Sequence, residues 1–241
     1  MSGAVDVFTL TVRQLAGRRR LWLVLALVSL PVLAGVLFTL ADATATPAEF
    51  ADDITRALVV STILPLVMLL LGTAALGNEV ADRTLVYLVT KPLPRWRIAV
   101  PKLVAAVAVG GLPVALSAAL AIALIQQGDA GGAAATGAGV LAGAAAYGAI
   151  FTWAGLATRH ALVLGLGYVF VWEAALAAYL DGIRFLSVRR FTLALVHGRD
   201  EARLARIDAS PGAAAAAVAV AVVLVGFTAL AVRKLRRMDV P

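Results

Sequence analysis

Six apolar runs, each about as long as a bilayer is thick, leave this chain few folds to choose from. They cover residues 21–40, 57–76, 98–125, 133–157, 161–180 and 213–232. A run of about 20 residues rises roughly 30 Å as an α-helix, the depth of the hydrocarbon core. In that medium every backbone N–H and C=O must bond within the chain, so each run is read as a helix. The expected fold is all-α, a polytopic membrane protein of six transmembrane helices in one transmembrane domain spanning 1–241. Composition agrees: 62% hydrophobic residues and a mean hydropathy of +0.94 lie far from soluble-domain values.

The segments around the spans carry the detail. Residues 1–20 form an amphipathic lead. Ala4, Val7, Phe8, Thr11, Val12 and Leu15 keep helical spacing, with Asp6, Thr9 and Arg13 off the stripe. This predicts an interfacial helix that Arg18, Arg19 and Arg20 end against the bilayer. The first run competes with a signal peptide, because Ala41-Asp42-Ala43 imitates a cleavage site, but its apolar core is too long. Pro65 in the second run, and Gly110, Gly111 and Pro113 in the third, predict kinks. Lys102, near one end of the third run, is expected to snorkel outward. Gly139 and Gly143 in the fourth run make a small-residue face for a close helix contact, read as internal packing rather than a dimer seam. Glu173, about 18 Å along the fifth run, is the one carboxylate expected within a span. A charge there is costly and suggests a role, and a structural one is expected ahead of substrate contact because intramembrane ionisable groups find a partner. Residues 181–211 are mixed. Their apolar first half is too short and too charged to span, so it is expected to be re-entrant or interfacial.

Residues 78–97 are a polar island between the second and third runs. They predict a short helix with Asn78 as N-cap, Glu79 and Asp82 in its first turn, and Glu79 pairing with Arg83 at i, i+4. Thr84, Leu85 and Leu88 share one face, and Pro92 and Pro94 stop the helix. Arg95, Trp96 and Arg97 form a basic and aromatic collar. On these residues alone, a plain connecting loop and a docking surface for a partner stand equal.

Charge sets an orientation. Six spans put both termini on one side, and with that side cytoplasmic the inner segments hold 14 of the 21 Lys and Arg. The positive-inside rule then places the island in the cytoplasm, against a last outer segment that carries six arginines. Several chemistries find no support. The chain has no cysteine and no Gly-Lys pair, so it offers neither a thiolate centre nor a phosphate-binding loop. His160 and His197 fall on opposite sides of the membrane and cannot pair on a metal within one subunit. The net charge of +7 belongs to membrane topology rather than to nucleic-acid binding.

The island resembles that of ABC-2 type exporter permeases. The matching residues are Gly77-Asn78-Glu79 ending a span, Asp82-Arg83-Thr84, Tyr87-Leu88 and Lys91-Pro92-Leu93-Pro94-Arg95 leading into the next. Tyr168-Val169-Phe170-Val171-Trp172-Glu173 and Leu186-Ser187-Val188-Arg189 resemble the family's fifth span and following segment. The resemblance implies that the island helix is a coupling helix docking on a separate ATPase, through Glu79, Asp82, Arg83, Thr84, Leu85, Leu88, Pro92 and Arg95. The lead becomes a connecting helix, and the segment after span five a pair of re-entrant helices. Two permeases, the same chain twice or this chain with a paralogue, join two ATPase subunits in the cell membrane. ATP and Mg then bind the ATPase, and this chain binds no cofactor and is no enzyme alone. A stand-alone secondary transporter or channel, and a non-transporting assembly or immunity factor, are the competing readings.

Overall fold

A computed structural model describes residues 2–41, 45–82, 94–171, 187–198 and 212–237. Its described residues form helices and no strand. In chain order these are α1 (Ser2–Leu15), α2 (Arg18–Leu40), α3 (Pro47–Ala81), α4 (Trp96–Ile125), α5 (Ala130–Ala157), α6 (Ala161–Val171), α7 (Val188–Val196) and α8 (Ala213–Arg237). Five of them, α2, α3, α4, α5 and α8, are long and apolar enough to cross a membrane. The expected fifth span begins as α6 and leaves the described residues after Val171, and Glu173 lies outside them too.

The lead is a helix whose Val7, Thr11 and Leu15 are buried while Asp6, Thr9 and Arg13 are exposed, as the stripe requires. It lies on the first half of α4. The helix stops at Leu15 rather than beyond residue 18. Gly17 is extended, with φ −52° and ψ 134°, and α2 starts at Arg18. The three arginines therefore open the first span instead of closing the lead.

The second span is longer than its apolar run. Thr46 caps it: its hydroxyl accepts from the Glu49 N–H, and the Glu49 carboxylate accepts from the Thr46 N–H, both at 3.3 Å. Helix then continues through the polar residues up to Asp53 and on to Ala81. Ile54–Ile63 is wound as a π-helix, as is Val107–Gly111 in α4. Each stretch ends two residues before a proline, Pro65 and Pro113. A proline lacks its N–H and its ring crowds the preceding turn, and a wider π turn accommodates both defects. The expected kink sites are thus π-helical distortions.

α3 and α5 form the centre, and α2 and α8 the flanks. The span windows of α3 and α5 are 61% buried, those of α2 and α8 only 17%. Close packing at the centre needs glycine, since a side chain at Gly155 would overlap the Thr73 carbonyl of α3. The Gly139 and Gly143 face is filled from within the same chain. α7 lies across it, with Val196 against Gly139 and Thr192 against Gly143. The apolar half of the 181–211 segment is therefore, in its described part, a buried helix packed on α5.

Candidate functional site

The polar island leaves the bundle where α3 ends, and there the structure departs from the sequence pattern. α3 does not stop at Gly77. It runs through Asn78, Glu79, Val80 and Ala81, and Asp82 closes it with its N–H donating to the Asn78 carbonyl at 2.8 Å. Asn78 is therefore no N-cap. Nothing between Leu76 and Ala81 breaks a helix, and Gly77 meets α5 at Gly155. The Asn78 side chain serves another contact, accepting a hydrogen bond from Arg20 Nη2 of α2 at 3.3 Å.

One turn of extra helix carries Glu79 inward. Glu79 is 8% exposed and points to α4, where Lys102 is 1% exposed. Lys102 Nζ donates to Glu79 Oε1 at 2.5 Å and to the Ala75 carbonyl at 2.9 Å. Lys102 thus does not snorkel. It stands about 9 Å into α4 from Trp96, within hydrogen-bond reach of two acceptors on α3. A buried ammonium is tolerable only when paired and hydrogen-bonded, and Glu79 and Ala75 supply both. The second Glu79 oxygen, Oε2, is buried and has no hydrogen-bond partner among the described residues.

The rest of the island divides among exposed, partly buried and undescribed positions. Asp82 is exposed at the α3 terminus. Arg95 is partly buried, and its carbonyl accepts from the N–H groups of Ile98 and Ala99, both at 3.1 Å, starting α4. Trp96 and Arg97 are exposed and stack, with the guanidinium 5.3 Å from the ring centroid, which gives the expected collar. Arg83, Thr84, Leu85, Leu88 and Pro92 lie outside the described residues, as does the expected Glu79 to Arg83 pair.

Beneath this rim four helices meet in a small apolar cluster of its own. Leu76 of α3, Ile98 and Ala99 of α4, Leu156 of α5, and Ala231 and Leu235 of α8 are all buried together. The two anchors of the island, Asp82 and Pro94, therefore spring from a packed platform rather than from loose helix ends. Sequence reasoning missed Lys102 and Arg20 as members of this site, and it gave Asn78 a capping role in place of its bond to Arg20. The available signal was a pair of opposite charges at the two ends of this stretch, Glu79 just past the second apolar run and Lys102 just inside the third.

The other end of α3 holds a second polar cluster. Asp52 accepts from Arg56 Nε at 2.8 Å and from His197 Nε2 at 2.9 Å, tying α7 to the start of α3. His197 Nδ1 faces the Leu193 carbonyl at 3.0 Å. His160 follows α5, whose end packs near the Glu79 end of α3, so the two histidines do lie at opposite ends of the bundle. No group of three metal-ligating side chains occurs among the described residues.

The geometry can hold and transmit. It fixes the exit of one helix and the entry of the next with a buried ion pair, and it offers no metal cage among the described residues. No curated protein matches the chain. A family model described as ABC-2 family transporter protein matches residues 17–173. That stretch includes α2, α3, α4, α5, the described part of α6 and both anchors of the island, so the chain belongs to the ABC-2 transporter family, a multi-pass membrane component of transport.

Proposed function

We propose that this chain is the permease subunit of an ATP-binding cassette exporter, moving a substrate across the membrane with energy from a separate ATPase subunit. The family match across residues 17–173 is the observation that carries this reading. Six spans, counting one that starts with α6, put both termini in the cytoplasm, where the positive-inside rule places the island. Two ATPases face two permeases, the second being the same chain or a paralogue. ATP and Mg are held by the ATPases.

Within the island the roles divide by burial. Asp82, exposed at the end of α3, and Arg83, Thr84, Leu85 and Leu88 beyond it form the docking surface, with Pro92 and Arg95 closing it on α4. Glu79 acts from inside. Its bond to Lys102 makes the α3 terminus and the start of α4 move as one body, so displacement of the island by an ATPase reaches two spans together. A segment clamped at both feet transmits force that a free loop would dissipate.

The test is purification of the tagged chain in mild detergent with identification of what accompanies it. A stoichiometric P-loop ATPase is expected, stimulated by the wild-type chain and released or left unstimulated by Arg83→Glu combined with Asp82→Lys. An intact, folded chain that brings down no ATPase, even after crosslinking through Thr84→Cys, would overturn the reading. A stable ATPase complex indifferent to both charge reversals would move the docking surface elsewhere.

A further inference from the structure

α8 leans on α5 and α7 and meets α4 only sparsely, which leaves a groove between α4 and α8. Its volume is about 740 Å³, in the range that holds a drug-sized ligand. Val100 and Val104 of α4 and Val225 and Ala229 of α8 line it, and Val104 and Val225 are 49% and 67% exposed. Thr228 adds no polar wall, because its hydroxyl donates to the Leu224 carbonyl of its own helix at 2.6 Å. At one end the lining changes character. Arg233 and Arg236 of α8, both exposed, and Trp96 of α4 form the mouth. No acidic residue lines the groove, and neither arginine has a carboxylate partner among the described residues.

We propose that this groove binds one anionic phospholipid, one of its acyl chains between α4 and α8 and its phosphate on Arg233 and Arg236. The length fits. Leu224 to Arg233 is about 13 Å of helix, close to the roughly 15 Å hydrocarbon depth of one leaflet. The chemistry fits as well: two guanidiniums three residues apart share one helix face and can fork onto a single phosphate. Trp96 sits at the level where an indole favours the headgroup boundary. A second copy of the chain is a poorer occupant. A two-fold contact on this face would bring four like charges together at the mouth. The site shares no residue with the ATPase-docking surface, although Trp96 adjoins its Arg95 edge, and it does not require the exporter reading.

The test is a competition. The intact purified chain is equilibrated with equimolar dioleoyl phosphatidylglycerol and dioleoyl phosphatidylcholine, and retained lipid is read by native mass spectrometry. Phosphatidylglycerol should be preferred, with the preference falling roughly fivefold per arginine in Arg233→Gln and Arg236→Gln, the scale of one basic side chain at an anionic surface. Ala229→Trp, which fills the groove and keeps both charges, should also lose the retained lipid. A second readout does not depend on mass spectrometry. With Trp22, Trp153 and Trp172 replaced by Phe, the remaining Trp96 should be quenched more by brominated phosphatidylglycerol than by the brominated choline lipid. Equal retention and equal quenching of the two lipids would overturn the proposal. So would a preference that survives both the Ala229→Trp and the double glutamine variants. Loss of preference on dimerisation, with the monomer selective, would also count against it, because the second copy would then be the native occupant.

Discussion

Lys102 and Glu79 lie 23 positions apart in sequence and meet because two antiparallel helices share one end. Neither would be inside alone. The pair is tight, but its strength rests on mutual compensation: each ion is desolvated, and each offsets the other's cost. Lys102→Met should therefore destabilise the protein by about 3–5 kcal/mol, because it leaves a buried carboxylate with no cation. The double variant Lys102→Met with Glu79→Leu should recover most of that loss, since apolar residues of similar volume satisfy the same space. Thermal unfolding in detergent reads both. If the single and double variants melt alike, the pair contributes packing only. In an ATPase-stimulation assay the double variant should remain stable yet couple weakly, which separates the clamp's mechanical part from its structural one. Glu79 was legible as an important residue. Its partner was not, because the alternation of apolar runs says that Lys102 is near a membrane face but not which side chain stands opposite it.

At the scale of elements, α7 decides how the far end of the bundle closes. It is a nine-residue helix held by contacts it could not provide for itself. Ser187 caps it, accepting from the Arg190 N–H at 3.4 Å, and its Val196 and Thr192 settle on the glycines of α5. A Cβ at Gly139 would lie 2.8 Å from the Val196 backbone nitrogen, and backbone cannot swing aside as a side-chain tip can. Gly139→Leu should cost about 1–3 kcal/mol of overpacking and detach α7 from α5. Limited proteolysis near residue 198 should then be faster than in the wild-type chain, while the insertion of the spans is unchanged. Unchanged proteolysis would mean that the His197 to Asp52 contact alone holds α7 in place. The glycine spacing pointed to an internal contact, and the structure agrees. Which element would fill it was invisible, because α7 has no span-length signal and its match to α5 is one of shape.

For the whole molecule the question is which way the bundle sits. The chain has no cysteine, so single-cysteine reporters need no background removed. With the island cytoplasmic, Ala48→Cys near the Asp52 end should react with a membrane-impermeant maleimide on intact cells. Thr84→Cys should react only after permeabilisation. The opposite pattern would invert the topology and remove the docking surface from the ATPase's reach. The sequence by itself determined that the chain is a helical membrane protein and where four of its spans lie to within a few residues. Hydrocarbon forces every backbone group into a local helix, so a run of apolar residues specifies its own structure. The island pattern also carried the family. Only the tertiary structure decided that α3 continues to Ala81, that Asn78 bonds Arg20 instead of capping a helix, and that Lys102 turns inward. These outcomes depend on neighbours distant in sequence. A helix end, a polar side chain and a lysine each have several local solutions of similar energy, and the choice falls to whichever partner the packing of the spans brings within a hydrogen bond's length.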